Sequence, residues 1–225
     1  MIYDRLAAYY DNFVDDGLID IYVEQILKHS KSGNVADLGC GTGPLSIKLA
    51  KKGFDVTATD ISGRMLEIAY NNSISEGVHV NFSRRNILDP LSNTYDIITM
   101  VSDVINYLED KTQMILAFKN IEEVMNKNAI LIFDFLKLDH MNKIDGYEET
   151  MDINGTTIDW KVKKQINTSQ ISHEVTINGQ TEFHNQITYS EKEYKKILSI
   201  CKIEVFNTIY LEDRIIFVCK KRIMS

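Results

Sequence analysis

Val35-Ala-Asp-Leu-Gly-Cys-Gly-Thr-Gly43 is the stretch that decides the fold of this chain. Its apolar start, ending at Asp37 and Leu38, predicts a short buried strand, and the three alternating glycines predict a loop. Pro44 stands where the first turn of a helix should begin. Glycine can adopt φ > 0 and lets a ligand approach the backbone, while the helix amino-terminus offers free N–H groups. The stretch therefore predicts the first strand–loop–helix unit of a nucleotide-type binding fold.

Composition limits the class of protein. The chain has 225 residues and a formal net charge of −7, which is long enough for one α/β domain with an appended subdomain. The negative charge makes a nucleic acid an unlikely main partner, although a local basic patch would escape this argument. Three cysteines without zinc spacing indicate a reducing compartment and no metal site. Since no signal-peptide pattern or long apolar run occurs, we expect a cytoplasmic protein without a membrane partner.

The first thirty residues predict a helical cap. Apolar residues are spaced for two helix faces, with Gly17 as the expected break between them. The cap is rich in tyrosine. Packing between helices explains each tyrosine most simply, but a tyrosine over a ligand pocket would supply both a ring and a hydroxyl. The tyrosines in question are Tyr3, Tyr9, Tyr10 and Tyr22.

A second strand, residues 54–59, delivers Asp60 about twenty residues after the glycine loop, where a carboxylate can accept both hydroxyls of a ribose. Asp60 could instead cap the next helix, but Ser62 is an equally good cap, so the ribose role is favoured. A third strand, residues 78–82, precedes Asn86. The amide of Asn86 can meet an adenine edge or occupy an ordinary turn.

The rest of the chain completes an α/β pattern. Residues 95–101 and 129–133 read as buried parallel strands. Asn-Gly pairs at 154–155 and 178–179 predict two β-hairpins. Ser190 begins a capping box that opens a helix, and the chain finishes with a two-strand hairpin.

These elements predict a three-layer αβα sandwich. Its sheet is Rossmann-like, seven-stranded and mostly parallel with an antiparallel terminal hairpin. A small antiparallel β insertion at 139–189, a lid or a dimer surface, interrupts the main domain of residues 1–138 and 190–225.

The spacing of the glycines in the loop distinguishes between two nucleotide-binding families. A dinucleotide-binding loop reads G-x-G-x-x-G, and here Pro44 takes the place of the third glycine after Gly39. An NAD-linked oxidoreductase is therefore disfavoured. The stretch 37–43 instead resembles motif I of class I S-adenosylmethionine (SAM)-dependent methyltransferases, and the resemblance covers the whole chain. Residues 3–11 resemble the tyrosine-rich leader of many small bacterial members of this family, and residues 102–108 resemble a stretch of its YqeM-like subgroup.

The resemblance implies SAM as cofactor and S-adenosylhomocysteine as product. It implies that Asp37 and the glycine loop hold the methionine part, that Asp60 holds the ribose, and that backbone carbonyls near Ser102 accept from the ammonium. Cys40 is a small loop residue and no nucleophile, since no base partner is apparent. Asn86 stands where the family usually has Asp. The full implied site is Tyr10, Asp37, Gly39, Cys40, Gly41, Gly43, Asp60, Ile61, Met65, Asn86, Ile87, Val101 and Ser102.

We expect the methyl acceptor to be a small molecule that offers a nitrogen or an oxygen. The (Asp/Asn)-Pro-Pro-aromatic stretch typical of base and amide methylation is missing after the fourth strand, where Ser102 and Asp103 stand. An amine acceptor would need a proton acceptor, for which Asp103 and Tyr107 are candidates, but no catalytic residue is assigned. The alternative functions are methylation of tRNA or protein, and SAM-responsive binding without catalysis. The alternative to a lid is that the insertion forms a homodimer.

Overall fold

A mixed seven-stranded sheet forms the centre of the computed structural model, which describes residues 5–166 and 168–222. Tyr3 lies outside the described residues. The strands are β1 Asn34–Leu38, β2 Asp55–Asp60, β3 Asn81–Arg84, β4 Tyr95–Met100, β5 Met125–Leu136, β6 Glu148–Ile153, β7 Thr156–Lys164, β8 Gln170–Ile177, β9 Gln180–Ile187, β10 Ile203–Tyr210 and β11 Arg214–Lys221. The helices are α1 Asp16–His29, α2 Pro44–Lys51, α3 Gly63–Ser75, α4 Lys111–Val124, α5 Leu138–Lys143 and α6 Glu191–Ile200.

The strand order of the large sheet is β10-β11-β5-β4-β1-β2-β3. Strands β1 to β5 run parallel, while β11 is antiparallel to both β5 and β10. The predicted fold class is therefore confirmed. From β1 the chain adds β2 and β3 on one side and then crosses to add β4 and β5 on the other. A crevice opens at the carboxyl edge of the sheet at this switch point between β1 and β4, where ligands bind in such sheets.

The second sheet is antiparallel and contains β6 to β9 in sequence order. Both predicted hairpins are present, with turns at Asn154–Gly155 and Asn178–Gly179. All four turn residues have positive φ, between 51° and 81°, which is the conformation of a type I′ turn. The short helix α5, which the sequence did not predict, leads into this sheet.

The predicted break at Gly17 is wrong. The cap consists of a 3-10 helix, Leu6–Asn12, followed by α1, and Gly17 lies inside the first turn of α1. Asp15 is the N-cap, and its carboxylate accepts from the backbone N–H groups of Gly17 and Leu18 at 2.9 and 3.1 Å. A side-chain cap satisfies helix N–H groups that would otherwise lack partners, so the helix begins at Asp16, directly after its N-cap, and not after the glycine.

The three loop glycines all have positive φ, but their surroundings differ. A Cβ on Gly39 would lie 2.5 Å from a methyl carbon of Val104, and one on Gly43 would lie 3.2 Å from Ala69. At Gly41 the nearest atom is a ring carbon of Tyr10, at 3.6 Å. Gly39 and Gly43 are therefore required for packing, and Gly41 is the position whose backbone has room beside it.

We expect Gly39→Ala to destabilise the fold more than Gly53→Ala. Both residues have positive φ, but nothing lies within 4 Å of a Cβ added at Gly53. Left-handed backbone costs a non-glycine residue about 1–2 kcal/mol, and the clash with Val104 adds roughly 1–3 kcal/mol of overpacking. Urea unfolding followed by circular dichroism measures both losses. Equal losses would show that Val104 yields to the new methyl group.

Candidate active site

Two cavities meet at the glycine loop. One measures about 280 Å³ and lies toward β2 and β3; the other measures about 520 Å³ and lies toward β4 and β11. They share the walls made by Tyr10, Gly39, Gly41 and Ser102, so they are two halves of one cleft. Of the residues implied by the family resemblance, all but Gly43 line this cleft.

Asp60 stands in the smaller half, with its carboxylate fixed by backbone. Oδ2 accepts from the N–H of Gly41 at 2.9 Å, and Oδ1 accepts from the N–H of Ser62 at 2.8 Å. Burial raises the pKa of Asp60, and these N–H groups partly offset the shift. Ser62 caps α3 with its side chain. These two hydrogen bonds therefore fix the orientation of the Asp60 carboxylate at the cavity wall.

Asp37 lies beneath the loop and is 2% exposed. Thr99 donates to its Oδ1 at 2.7 Å and Ser46 donates to its Oδ2 at 2.6 Å. Burial raises its pKa, and the two hydroxyl donors work against this. Through these bonds Asp37 connects β1 to β4 and to α2, directly under the larger half of the cleft.

Cys40 and Asn86 occupy less reactive positions. Burial raises the pKa of the Cys40 thiol well above its ordinary value, which disfavours the thiolate that a nucleophile requires. The side-chain oxygen of Asn86 accepts from the N–H of Leu88 at 2.9 Å, and its backbone N–H donates to Asp89 at 3.0 Å. Asn86 thus shapes a turn while it lines the smaller half of the cleft.

A charged cluster that the sequence did not predict closes the larger half. The guanidinium of Arg214 donates from Nη1 to Asp103 and Asp134, both at 2.8 Å. Its Nε and Nη2 donate to Asp213 at 2.9 and 2.7 Å. Asp134 is fully buried, whereas Asp103, Asp213 and Arg214 line the cavity. We name these four residues the Arg214 cluster.

Ser102 and Asp103 hold an uncommon backbone conformation. Their φ angles are 60° and 71°, so two consecutive non-glycine residues are left-handed at the end of β4. Such strain persists where surrounding contacts impose it, and it concentrates at functional sites. The two candidate proton acceptors lie in different halves of the cleft: Asp103 lines the larger half and Tyr107 lines the smaller half.

The amino-terminal 3-10 helix roofs the cleft and is fastened to the second sheet. Glu182, on β9, accepts from the backbone N–H groups of Arg5 and Leu6 at 3.1 and 3.2 Å. His184 contacts the same carboxylate at 3.0 Å, with both side chains buried. The hydroxyl of Tyr9 donates to Thr156 at 3.1 Å. Glu182 therefore caps the helix that carries Tyr10 over Gly41.

We expect Glu182→Gln to loosen this helix. The amide keeps one acceptor oxygen and replaces the other with a donor, so one backbone N–H loses a charged partner worth about 1.5–3 kcal/mol. Amide hydrogen exchange should become at least about tenfold faster at residues 5–13 and remain unchanged in the large sheet.

Glu174→Gln is the matched control, because Glu174 is an exposed residue on the adjacent strand β8. Its exchange pattern should equal that of the unmodified protein. Unchanged exchange in Glu182→Gln would contradict the capping role.

Membrane and metal features are absent from the part of the chain that the structure describes. No helix there is long and apolar enough to cross a membrane. No group of three or more His, Cys, Asp or Glu side chains in the same residues is arranged to hold a metal ion. The cleft is lined by carboxylates, by the guanidinium groups of Arg85 and Arg214, and by apolar side chains.

Known proteins share this architecture. The family described as a methyltransferase domain matches residues 35–128. A methyltransferase of Geobacillus is 28% identical, over 98% of this chain and all of its own length. The methyltransferase YqeM of Bacillus subtilis is also 28% identical, over 91% of this chain and 87% of its own length.

Solved structures show the same fold. A SAM-dependent methyltransferase from Clostridium acetobutylicum superposes with a TM-score of 0.85 at 21% identity, covering 99% of this chain and 100% of that one. The sugar N-methyltransferase KedS8 from Streptoalloteichus has a TM-score of 0.78 at 15% identity, covering 99% and 94%. Motif, fold and relatives agree: residues 35–128 match the methyltransferase domain family, and the chain as a whole is similar to YqeM-like methyltransferases and to SAM-dependent methyltransferases of known structure.

Proposed function

We propose that this methyltransferase acts on a small molecule at nitrogen or oxygen, with the cofactor lying across the glycine loop. The observation that carries the proposal is the single cleft, whose halves lie on opposite sides of Gly41. A carboxylate and apolar side chains line one half, and the Arg214 cluster closes the other. A cofactor with its nucleoside in the first half and its methionine part beside the loop can present its methyl group to an acceptor near the Arg214 cluster.

The smaller half suits an adenosine. Asp60 is held where its carboxylate can accept from ribose hydroxyls, with both oxygens fixed by N–H donors. Ile61, Met65 and Ile87 supply apolar walls for a base. Asn86 lies at the edge of this half. The residues present therefore fit the nucleoside part of SAM.

The larger half suits the methionine part beside the loop. Gly41 leaves space that a Cβ would occupy, with the Tyr10 ring opposite. Asp37 and Cys40 line the floor. Val101 and Ser102 end β4 at this wall, and in this proposal their backbone carbonyls accept from the methionine ammonium.

The chain has to position and enclose the reactants. SAM supplies a methyl group already activated on a sulfonium, so the protein needs no covalent catalyst. Holding two reactants in line and excluding water lowers a barrier by about 7–11 kcal/mol in favourable cases. Tyr10, carried by the capped 3-10 helix, lies over the loop and restricts water there. The second sheet acts as part of this lid in our proposal, and residues 139–189 are the inserted unit.

Two observations support a small-molecule acceptor. KedS8, a sugar N-methyltransferase, shares the fold over nearly the whole chain. The larger half of the cleft is lined by the carboxylates of Asp15, Asp37, Asp103 and Asp213, which disfavours the phosphate backbone of a tRNA. Incubation with labelled SAM and, separately, small metabolites, tRNA or protein tests the choice. Label confined to tRNA or protein would overturn the proposal.

We expect Asp60→Ala to weaken SAM binding by roughly 10- to 150-fold, the equivalent of about 1.5–3 kcal/mol for lost charged hydrogen bonds. Asp55→Ala is the matched control, since Asp55 is an exposed carboxylate at the opposite end of the same strand. Calorimetric titration with SAM measures both affinities. An unchanged affinity in Asp60→Ala would remove this residue from the ribose site.

A further inference from the structure

The Arg214 cluster carries more negative than positive charge. Three carboxylates, those of Asp103, Asp134 and Asp213, share one guanidinium. Burial raises the pKa of Asp134 to about 7, although the Arg214 charge pulls it down. Near neutral pH the cluster therefore has a net charge between about −1 and −2. An anion would be repelled at this end of the cleft, and a cation would be attracted.

The strand order places the cluster on the acceptor side. Asp60 ends β2, on one side of β1, whereas Asp103 follows β4, on the other side. Asp134 and Arg214 belong to β5 and β11, the next strands in the same direction. A SAM molecule whose adenosine lies over β2 and β3 therefore extends its methionine part toward the cluster. The acceptor has to bind beyond that end.

Asp103 is the carboxylate of the cluster that directly follows Ser102, which lines both halves of the cleft. Its Oδ1 accepts from Arg214 at 2.8 Å, and the hydrogen bonds found among the described residues leave Oδ2 for a ligand. The side chain is 24% exposed and lines the larger cavity. Arg214, itself held by Asp213, fixes the carboxylate in the left-handed turn after β4. The carboxylate is thus oriented before any ligand arrives.

A separate, mostly apolar cavity lies against the second sheet. It measures about 290 Å³ and shares Phe13 with the larger half of the cleft. The edge of Phe13 packs on Trp160 with ring centroids 5.3 Å apart, and Trp160 donates to His173 at 3.1 Å. This cavity offers room for the organic part of an acceptor. Trp160, the single tryptophan of the chain, reports on its occupation.

We propose that the acceptor is an amine, which enters as its ammonium ion beside the Arg214 cluster, and that Asp103 takes the proton from its nitrogen. This inference rests on the proposed function. The N–H bond breaks, its electron pair stays on nitrogen and the proton goes to Oδ2 of Asp103. That pair forms the new bond to the methyl carbon as the carbon–sulfur bond breaks, and the positive charge passes from sulfur to nitrogen. The proton on Asp103 returns to solvent when the product leaves.

The chemistry of other acceptors fits this end of the cleft less well. A carboxylate or phosphate acceptor would bring negative charge beside the cluster. An alcohol is far too weak an acid to lose its proton to an ordinary carboxylate. An ammonium ion gains from the surplus negative charge and needs a proton acceptor before it can react. The cluster therefore selects nitrogen over oxygen.

Other ionisable groups face Asp103 and bear on its pH dependence. They are Tyr10 of the 3-10 helix, Tyr22 of α1, Asp134 of β5, His173 of β8 and Arg214 of β11. Burial raises the pKa of both tyrosines and lowers the pKa of His173. These shifts keep the tyrosines protonated between pH 6 and 9 and favour the neutral form of His173. Asp134 is the neighbour whose charge changes in that range.

The first experiment determines the chemistry of the acceptor. The full chain is incubated with SAM carrying a labelled methyl group and a protein-free bacterial metabolite extract. The labelled product should be retained by a cation exchanger, and mass spectrometric fragmentation should place the methyl group on nitrogen. Label on oxygen or carbon would overturn the amine assignment and leave the proposed function standing. A complete lack of labelled small molecules would overturn the proposed function as well.

A second experiment tests Asp103 with Asp103→Asn and the charge-matched control Asp55→Asn, using the labelled amine as acceptor. The rate of Asp103→Asn at pH 7 should fall at least about 100-fold, as expected for loss of a general base. Its rate should then rise about tenfold per pH unit up to the pKa of the free amine, because solvent must remove the proton. Asp55→Asn should retain the wild-type rate and profile. A uniform loss at every pH would show that Asp103 has only a structural role.

Binding provides a readout that does not depend on turnover. The labelled amine is titrated into the protein loaded with S-adenosylhomocysteine, and Trp160 fluorescence is followed. Asp103→Asn should weaken binding of the ammonium form about tenfold or more, since a charged hydrogen bond is lost. The alcohol with the same skeleton should bind both proteins equally. Equal amine affinities in the two proteins would contradict the proposal.

Discussion

Hydrogen bonds between the glycine loop and the end of β2 are the constraint on which the cleft depends. The N–H groups of Gly39 and Cys40 both donate to the carbonyl of Thr59, at 2.7 and 2.9 Å, and that of Gly41 donates to Asp60. These donors are used within the protein and hold the loop against the end of β2. The loop therefore offers shape and open backbone at Gly41, and the polar contacts with a nucleoside have to come from Asp60 and from neighbouring strand ends.

The Arg214 cluster lies farther along the same edge of the sheet, and its buried charges cost free energy of desolvation. Desolvating an arginine and three carboxylates is expensive, and apolar residues of similar volume often stabilise a fold as well or better. Asp134 shows the cost directly, since burial lifts its pKa to about 7 beside a guanidinium. Left-handed backbone at Ser102 and Asp103 adds strain at the same place. Strain and buried charge together, on the wall of a cleft, are more easily explained by function than by stability.

Local sequence signals predicted the elements well. The capping box at Ser190 is present, because Ser190 and Glu193 are three residues apart and their mutual contacts are set by the helix itself. Asp110 caps α4 for the same reason. The Arg214 cluster and Glu182 could not be found this way. Asp103 lies 111 residues from Arg214, and Glu182 lies 176 residues from Leu6. Only the pairing of β11 with β5 and the docking of the second sheet bring these partners together.

The 3-10 helix is held from two sides, by Glu182 of the second sheet and by Asn72 of α3, which donates to Asp11 at 3.2 Å. Two charged hydrogen bonds from Glu182 and the apolar contact of Leu6 with Ile158 and Val175 fasten the helix to the sheet. Over the cleft, by contrast, the ring of Tyr10 passes close to the open backbone of Gly41. Detaching the helix from its cap would break the two charged hydrogen bonds of Glu182, so we expect the helix to stay on the second sheet when a cofactor enters or leaves. Any displacement of the helix at the Tyr10 contact would then reach the sheet that carries Trp160, which lines the cavity we assign to the acceptor. In this interpretation Glu182 is the residue that would link the cofactor side of the cleft to the acceptor side.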